Sequence, residues 1–374
     1  MTDTYCGVPG NTHKKLIIFC DGTWNCADQK SETGRPCPTN VTRLFEATLP
    51  VDSNGNPQIV HYIQGVGTRK LERLRGGGFG FGISDNIKNA YQFICSNYQP
   101  GDEIFLFGFS RGAFTARSIA GFIHNMGILK RTDFYLVNEA FDKYRDRSPA
   151  WHPDSQEAKQ FRANHTWGNE EIAFVGVWDT VGALGVPFGF VLGFLVSLIF
   201  KTRFHDVKLS STIKSGYHAL AIDERRWPFR PTLWELNPKH NPANFEEKWF
   251  PGVHANVGGG YPDTGLSDIA LDWMAKKALV HGLEIDLSLV SNPPLKADIS
   301  LEPEESQCFL YRLATQIFVK FPAYAGIVIP EQNRHLVRHI QANGDYLRPI
   351  ANRNDVSNEA MQKIKQGSYS PPNV

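Results

Sequence analysis

The stretch Glu103-Ile104-Phe105-Leu106-Phe107-Gly108-Phe109-Ser110-Arg111-Gly112-Ala113-Phe114-Thr115-Ala116-Arg117 decides the fold. It opens on a continuous apolar run, the pattern of a strand buried on both faces. From Arg111 onward it reads as a helix running to Met126, set directly behind that strand. Between the two, Gly108-Phe109-Ser110-Arg111-Gly112 fits the pattern G-x-S-x-G. In a strand–turn–helix frame that turn lifts a serine hydroxyl out of the sheet, and flanking glycines avoid a clash between neighbouring backbones. The helix N-terminus then favours negative charge developing beside the serine. The bland alternative is a serine capping the helix, with glycines serving only the turn. The frame favours a nucleophile.

Working outward, further apolar runs at 16–20, 59–63 and 172–178, with a strand-like segment at 248–253, predict more strands. Helices are expected near 41–47, 84–97, 133–146, 215–223 and 266–280, and the glycine cluster 76–82 is expected to be a turn. Alternating strands and helices predict an α/β fold: a mostly parallel, α/β-hydrolase-like sheet with helices on both faces. Residues 1–13 read as a flexible lead and 14–352 as a single domain, with insertions at about 133–169 and 181–205. The signal weakens after 283, and 353–374 read as a loose tail.

The chain has 374 residues, long enough for a sizeable core without disulfide or metal staples. Lys+Arg number 39 against 38 Asp+Glu, a net charge of +1 that excludes a strongly basic nucleic-acid binder. Six cysteines without a CxxC pair read as free thiols in a reducing compartment. The first 13 residues lack the apolar segment of a signal peptide, so the cytoplasm is the default location.

A serine nucleophile needs a base, and the base an orienting carboxylate, in the chain order Ser, Asp/Glu, His. Asp179 closes a predicted buried strand, where open α/β sheets carry functional groups. His254 follows another strand-like segment and opens a glycine-rich turn. An oxyanion hole needs two donors: the N–H of Arg111, after the nucleophile, and the N–H of Gly22 or Thr23, in the turn Asp21-Gly22-Thr23 closing the first strand. Residues 181–200 carry no charge. A single span there would put Ser110 and His254 on opposite sides of a membrane, so an apolar lid or acyl-chain wall is expected, the bland alternative being a buried core helix. Val186, Phe188, Phe190, Leu192, Phe194 and Leu195 would line it. Asp263, Asp268 and Asp272 match no calcium loop, and no metal or cofactor is expected.

Several separated segments go beyond a generic hydrolase. They are Phe19-Cys20-Asp21-Gly22-Thr23-Trp24-Asn25, the Ser110 stretch, Val177-Trp178-Asp179-Thr180-Val181-Gly182, Ala221-Ile222-Asp223-Glu224-Arg225-Arg226 and Trp249-Phe250-Pro251-Gly252-Val253-His254. Together, over roughly 14–281, they resemble the α/β-hydrolase domain family that includes the catalytic domain of type VI secretion phospholipase effectors. The resemblance implies a lipase or esterase with Ser110 as nucleophile, His254 as base and Asp179 as its orienter. One position departs from the family: Asn256 stands where relatives commonly carry an acidic residue. The expected substrate is a lipid-like acyl ester, met at a transient membrane-surface contact. The rival readings are an esterase for short soluble esters and a hydrolase-like scaffold without turnover.

Overall fold

A computed structural model of the chain describes residues 13–23, 25–67, 78–168, 170–181, 209–226, 229–236, 240–304 and 347–374. Six strands, β1 (Lys15–Cys20), β2 (Gln58–Ile63), β3 (Glu103–Phe109), β4 (Phe174–Trp178), β5 (Gly216–Ala221) and β6 (Phe245–Phe250), form one sheet. Their order is β2-β1-β3-β4-β5-β6, and every neighbouring pair is parallel. All residues of β1, β4 and β5 are buried, whereas the edge strands β2 and β6 are half-buried over most of their length. Unbroken apolar runs therefore mark central strands, because helices cover both faces there.

Side-chain alternation divides the core in two. Leu16, Ile18, Ile104, Leu106, Val175 and Val177 face α2 (Gly78–Asn97), α3 (Arg111–Met126) and α4 (Val137–Arg145). Ile17, Phe19, Phe105, Phe107 and Phe174 face α1 (Asn40–Ala47) and the long helix Gly265–Val280. The polar stretch 133–169 is built onto the first face: Val137, Ala140, Phe141 and Tyr144 form one buried stripe of α4, and Phe161 of α5 (Gln156–His165) joins them. The rest of each helix is polar, which is why the segment looked like an insertion.

Three expectations are corrected. Residues 215–223 are not a helix but contain β5, buried along its whole length; a short apolar run buried on all sides carries no period to separate strand from helix. The glycine cluster is not a turn from Gly78 onward, because α2 begins there. Gly82 has a packing reason to be glycine, since a Cβ would stand 2.9 Å from Val66 Cγ1. The segment 353–374 is not loose. Val356 bridges to Trp249 of β6, and Ala360 and Tyr369 pack with Leu220, Ile222 and Trp249 in a third apolar cluster.

The chain passes from β1 to β2 on one side and then to β3 on the other. Strand order thus reverses between β1 and β3, and open α/β sheets have a crevice at the carboxyl ends of such a pair. Cys20 pairs with Gly108 across that point. The turns Asp21–Thr23 and Ser110–Gly112 leave the sheet side by side at its edge.

Candidate active site

Ser110 follows β3 directly and has φ 58° and ψ −120°, a conformation costing about 1–3 kcal/mol for a residue with a Cβ. The neighbours make it tolerable. A Cβ on Gly108 would lie 2.4 Å from Gly112 O, and one on Gly112 would lie 2.1 Å from Cys20 O. Both obstacles are backbone, so neither glycine is replaceable without moving the sheet or the helix. Ser110 N donates to Trp178 O at 3.0 Å, and Phe114 N donates to Ser110 O at 3.2 Å. The serine is thereby tied to β4 and to the first turn of α3.

Asp179 ends β4 in the same manner, with φ 40° and no exposure. Its amide donates to Ala219 O at 2.7 Å, and its Oδ1 accepts the amide of Ala221 at 3.1 Å. The carboxylate is thus aimed along the rim toward the end of β6. There His254 opens the short helix α6 (His254–Gly258) rather than the glycine turn expected. His254 Nδ1 meets Asp179 Oδ2 at 2.5 Å. That leaves Nε2 as the ring nitrogen able to accept a proton. The imidazole lies between the rings of Phe109 at 4.6 Å and Phe229 at 4.9 Å. Phe109 immediately precedes Ser110, so the His254 ring packs against the Ser110 turn. Ser110 and His254 are each 6% exposed.

Electrostatics prepare the group for proton uptake. Burial lowers the His254 pKa below its ordinary value, with Arg226 adding to the effect, while Asp179 pulls the other way. Burial alone would raise the Asp179 pKa, but Arg348 and His254 outweigh it and hold the carboxylate ionised. A neutral imidazole bonded to an ionised aspartate is the resting state a general base requires.

The turn after β1 lies against the elbow: a Cβ on Gly22 would be 3.3 Å from Ser110 Cβ. Its shape is set by Asp21, buried at 3% exposure. Oδ2 of Asp21 accepts hydrogen bonds from Tyr62 at 2.6 Å, Thr39 at 2.9 Å and Thr42 at 3.1 Å. Gly22 N donates to Asp21 Oδ1 at 2.7 Å. That amide is therefore turned toward the aspartate, and of the two expected donors in this turn Thr23 is the one left for a substrate oxygen. Arg111 begins α3, with its amide in the helix's first turn.

Asn256 accepts the amides of Val253 at 3.1 Å and Glu304 at 3.3 Å through Oδ1. It holds the loop that carries His254. A carboxylate does approach the histidine from elsewhere: Glu224 Oε2 accepts the His254 amide at 3.2 Å and pairs with Arg226 at 2.8 Å. Arg348, from beyond the predicted site, grips Asp179 with both guanidinium nitrogens. No spacing or motif announces it in the stretch Leu347-Arg348-Pro349. Val186, Phe188, Phe190, Leu192, Phe194 and Leu195, expected to line a lid, lie outside the described residues. Among the described residues no helix is long and apolar enough to cross a membrane.

The profile of a family described as "T6SS, Phospholipase effector Tle1-like, catalytic domain" matches residues 14–277. An uncharacterized protein of Saccharomyces cerevisiae is 28% identical over 251 residues, covering 60% of this chain and 33% of that protein. The crystal structure of an uncharacterized protein from Pseudomonas aeruginosa aligns with 95% of this chain and 62% of its own, at TM-score 0.41 and 16% identity. The structure of the Tle1 effector bound to the VgrG spike of the type VI secretion system aligns with 67% of this chain and 51% of its own, at TM-score 0.36 and 20% identity. The chain thus spans about a third of its yeast relative and about half of the Tle1 structure.

Proposed function

The chain belongs to the family of Tle1-like phospholipase effector catalytic domains, and from that premise we propose that it is a serine ester hydrolase acting on lipid-like acyl esters. The observation that carries this reading is the 2.5 Å bond from His254 Nδ1 to Asp179 Oδ2, set against the strained turn of Ser110. His254 Nε2 takes the Ser110 proton as Oγ attacks the ester carbonyl, and Asp179 stabilises the imidazolium. The amides of Arg111 and Thr23 receive the oxyanion, each such donor being worth about 3–4 kcal/mol in the transition state. Collapse of the intermediate passes the proton from His254 to the leaving alcohol. Water then enters and, with His254 again as base, hydrolyses the acyl-enzyme and restores Ser110.

A fluorophosphonate probe tests the nucleophile. Labelling of the wild type, lost in Ser110→Ala, supports the reading; equal labelling of both overturns it. Labelling of neither leaves the scaffold alternative standing. A series of p-nitrophenyl esters of rising chain length then tests the substrate class. Preference for acetate over longer chains moves the assignment to short soluble esters, and turnover of phospholipid vesicles supports the lipid reading.

A further inference from the structure

We propose that Arg348 is a positioning residue of this centre: its guanidinium clamps the Asp179 carboxylate in the plane that serves His254 and offsets its charge. The inference rests on the triad reading above. Nη2 of Arg348 donates to Asp179 Oδ2 at 2.9 Å and Nη1 donates to Oδ1. The same two nitrogens donate to Ala221 O at 2.9 Å and Phe229 O at 2.5 Å. The fork therefore joins two of the groups in contact with the imidazole, the aspartate bonded to it and the backbone of Phe229, whose ring packs on it. Arg348 and Asp179 are both fully buried. The fork adds one bond to each carboxylate oxygen beside the Ala221 amide on Oδ1 and the His254 contact on Oδ2, and so stiffens carboxylate rotation.

The clamp comes from a separate part of the chain. Arg348 lies beyond the family match at 14–277, and its own carbonyl is held from farther on, by Asn373 Nδ2 at 3.1 Å. Asn373 Nδ2 also donates to Ile222 O at 3.1 Å, and Tyr369 donates to Asp223 at 2.6 Å. The C-terminal segment thus straps across the end of β5 and delivers the guanidinium to the rim.

Charge gives the clamp a measurable signature. The groups facing the His254 imidazole are Asp179 and Glu224, which favour its protonated form, and Arg226, which opposes it. Behind Asp179 stand Arg348 and the buried His218, whose Nε2 accepts the Thr180 amide at 3.0 Å. With Arg348 in place the aspartate is largely neutralised, so it stabilises an imidazolium less. Removing the charge leaves an uncompensated carboxylate beside His254, which favours protonation at higher pH. A residue needed only for folding would not move that titration.

The test is the second-order rate of fluorophosphonate labelling from pH 5 to 9 in wild type, Arg348→Met and Arg348→Lys, with thermal unfolding measured alongside. Arg348→Met is expected to move the acid limb upward by about one unit. Arg348→Lys keeps the charge but loses the fork, so its limb stays in place while the plateau rate falls about 10- to 100-fold. If Arg348→Met does not fold, Arg348→Lys decides alone, and a wild-type plateau rate overturns the proposal. Folded variants that lose only thermal stability, with wild-type limb and plateau, overturn it equally. A wild type that the probe never labels overturns the triad reading itself, a result distinct from either.

Discussion

Gly258 lies flat against the ring of Phe109, so closely that a Cβ on the glycine would stand 2.0 Å from Phe109 Cε2. Phe109 in turn packs on His254, with ring centroids 4.6 Å apart. Gly258, Phe109 and His254 are therefore one packed unit next to Ser110. Gly258→Ala should displace Phe109 and with it His254. We expect a loss of about 1–3 kcal/mol in stability and a labelling rate at Ser110 at least tenfold lower. An unchanged rate would mean that the ring can yield without moving the base.

Tyr62→Phe should weaken the turn that carries Thr23. Tyr62 supplies the shortest of the three hydroxyl bonds to the buried Asp21 carboxylate. Burial already pushes the Asp21 pKa up, against the pull of those hydroxyls and the Gly22 amide. Losing one hydrogen-bond partner of a buried carboxyl costs about 1–3 kcal/mol. Urea unfolding of the variant checks the cost, and slower probe labelling checks the link from Asp21 to the oxyanion side of the site.

Arg43 and Asp268 form a fully buried ion pair joining α1 to the helix Gly265–Val280. Asp268 also accepts from Thr264 at 3.2 Å and from the Lys296 amide at 2.6 Å. Arg43→Met strands the carboxylate and is expected to cost about 3–5 kcal/mol. The double change Arg43→Met with Asp268→Leu should recover much of that loss. Chemical denaturation of the four proteins in the cycle measures it.

The pH profile follows from burial of histidines. Burial lowers the pKa values of His254 and His218 below their ordinary value. Labelling should therefore have its acid midpoint below pH 6.5; a midpoint above 6.5 would contradict the effect of burial on His254. For stability the sign is equally definite. The unfolded chain binds these protons first, so each histidine contributes stability at neutral pH that is lost as pH falls from about 6.5 toward the folded value. Asp21, with its raised pKa, acts in the opposite sense above its unfolded value. The histidines alone should thus lower the denaturation midpoint as pH falls below about 6.5, and Asp21 works against that loss.

Much of this was legible in the residues. The run Ile104–Phe107 before Gly108-Phe109-Ser110-Arg111-Gly112 implies a buried strand feeding a tight turn, and the elbow lies there with α3 beginning at Arg111. Asp179 and His254 were readable as strand-end residues, and the structure places them in contact. β5 was not readable as a strand, because Gly216–Ala221 is buried along its whole length and shows neither period. The tail reads as loose because its apolar residues are few and scattered among polar ones. Val356, Ala360 and Tyr369 become a core only when β5 and β6 supply the other half.

The dividing line is the range of the interactions. Strand burial, turn chemistry and helix starts depend on residues a few positions apart, so they are written in local pattern: two glycines around a serine, an aspartate closing an apolar run. Contacts such as Arg348 to Asp179, Asn373 to Arg348 or Tyr62 to Asp21 join residues separated by 169, 25 and 41 positions. No local pattern encodes such pairs, because their partners meet only once the sheet has set the strand ends side by side. The tight turn at Ser110 was therefore visible in one short stretch of chain, and the Arg348 fork on Asp179 became visible only in the folded molecule.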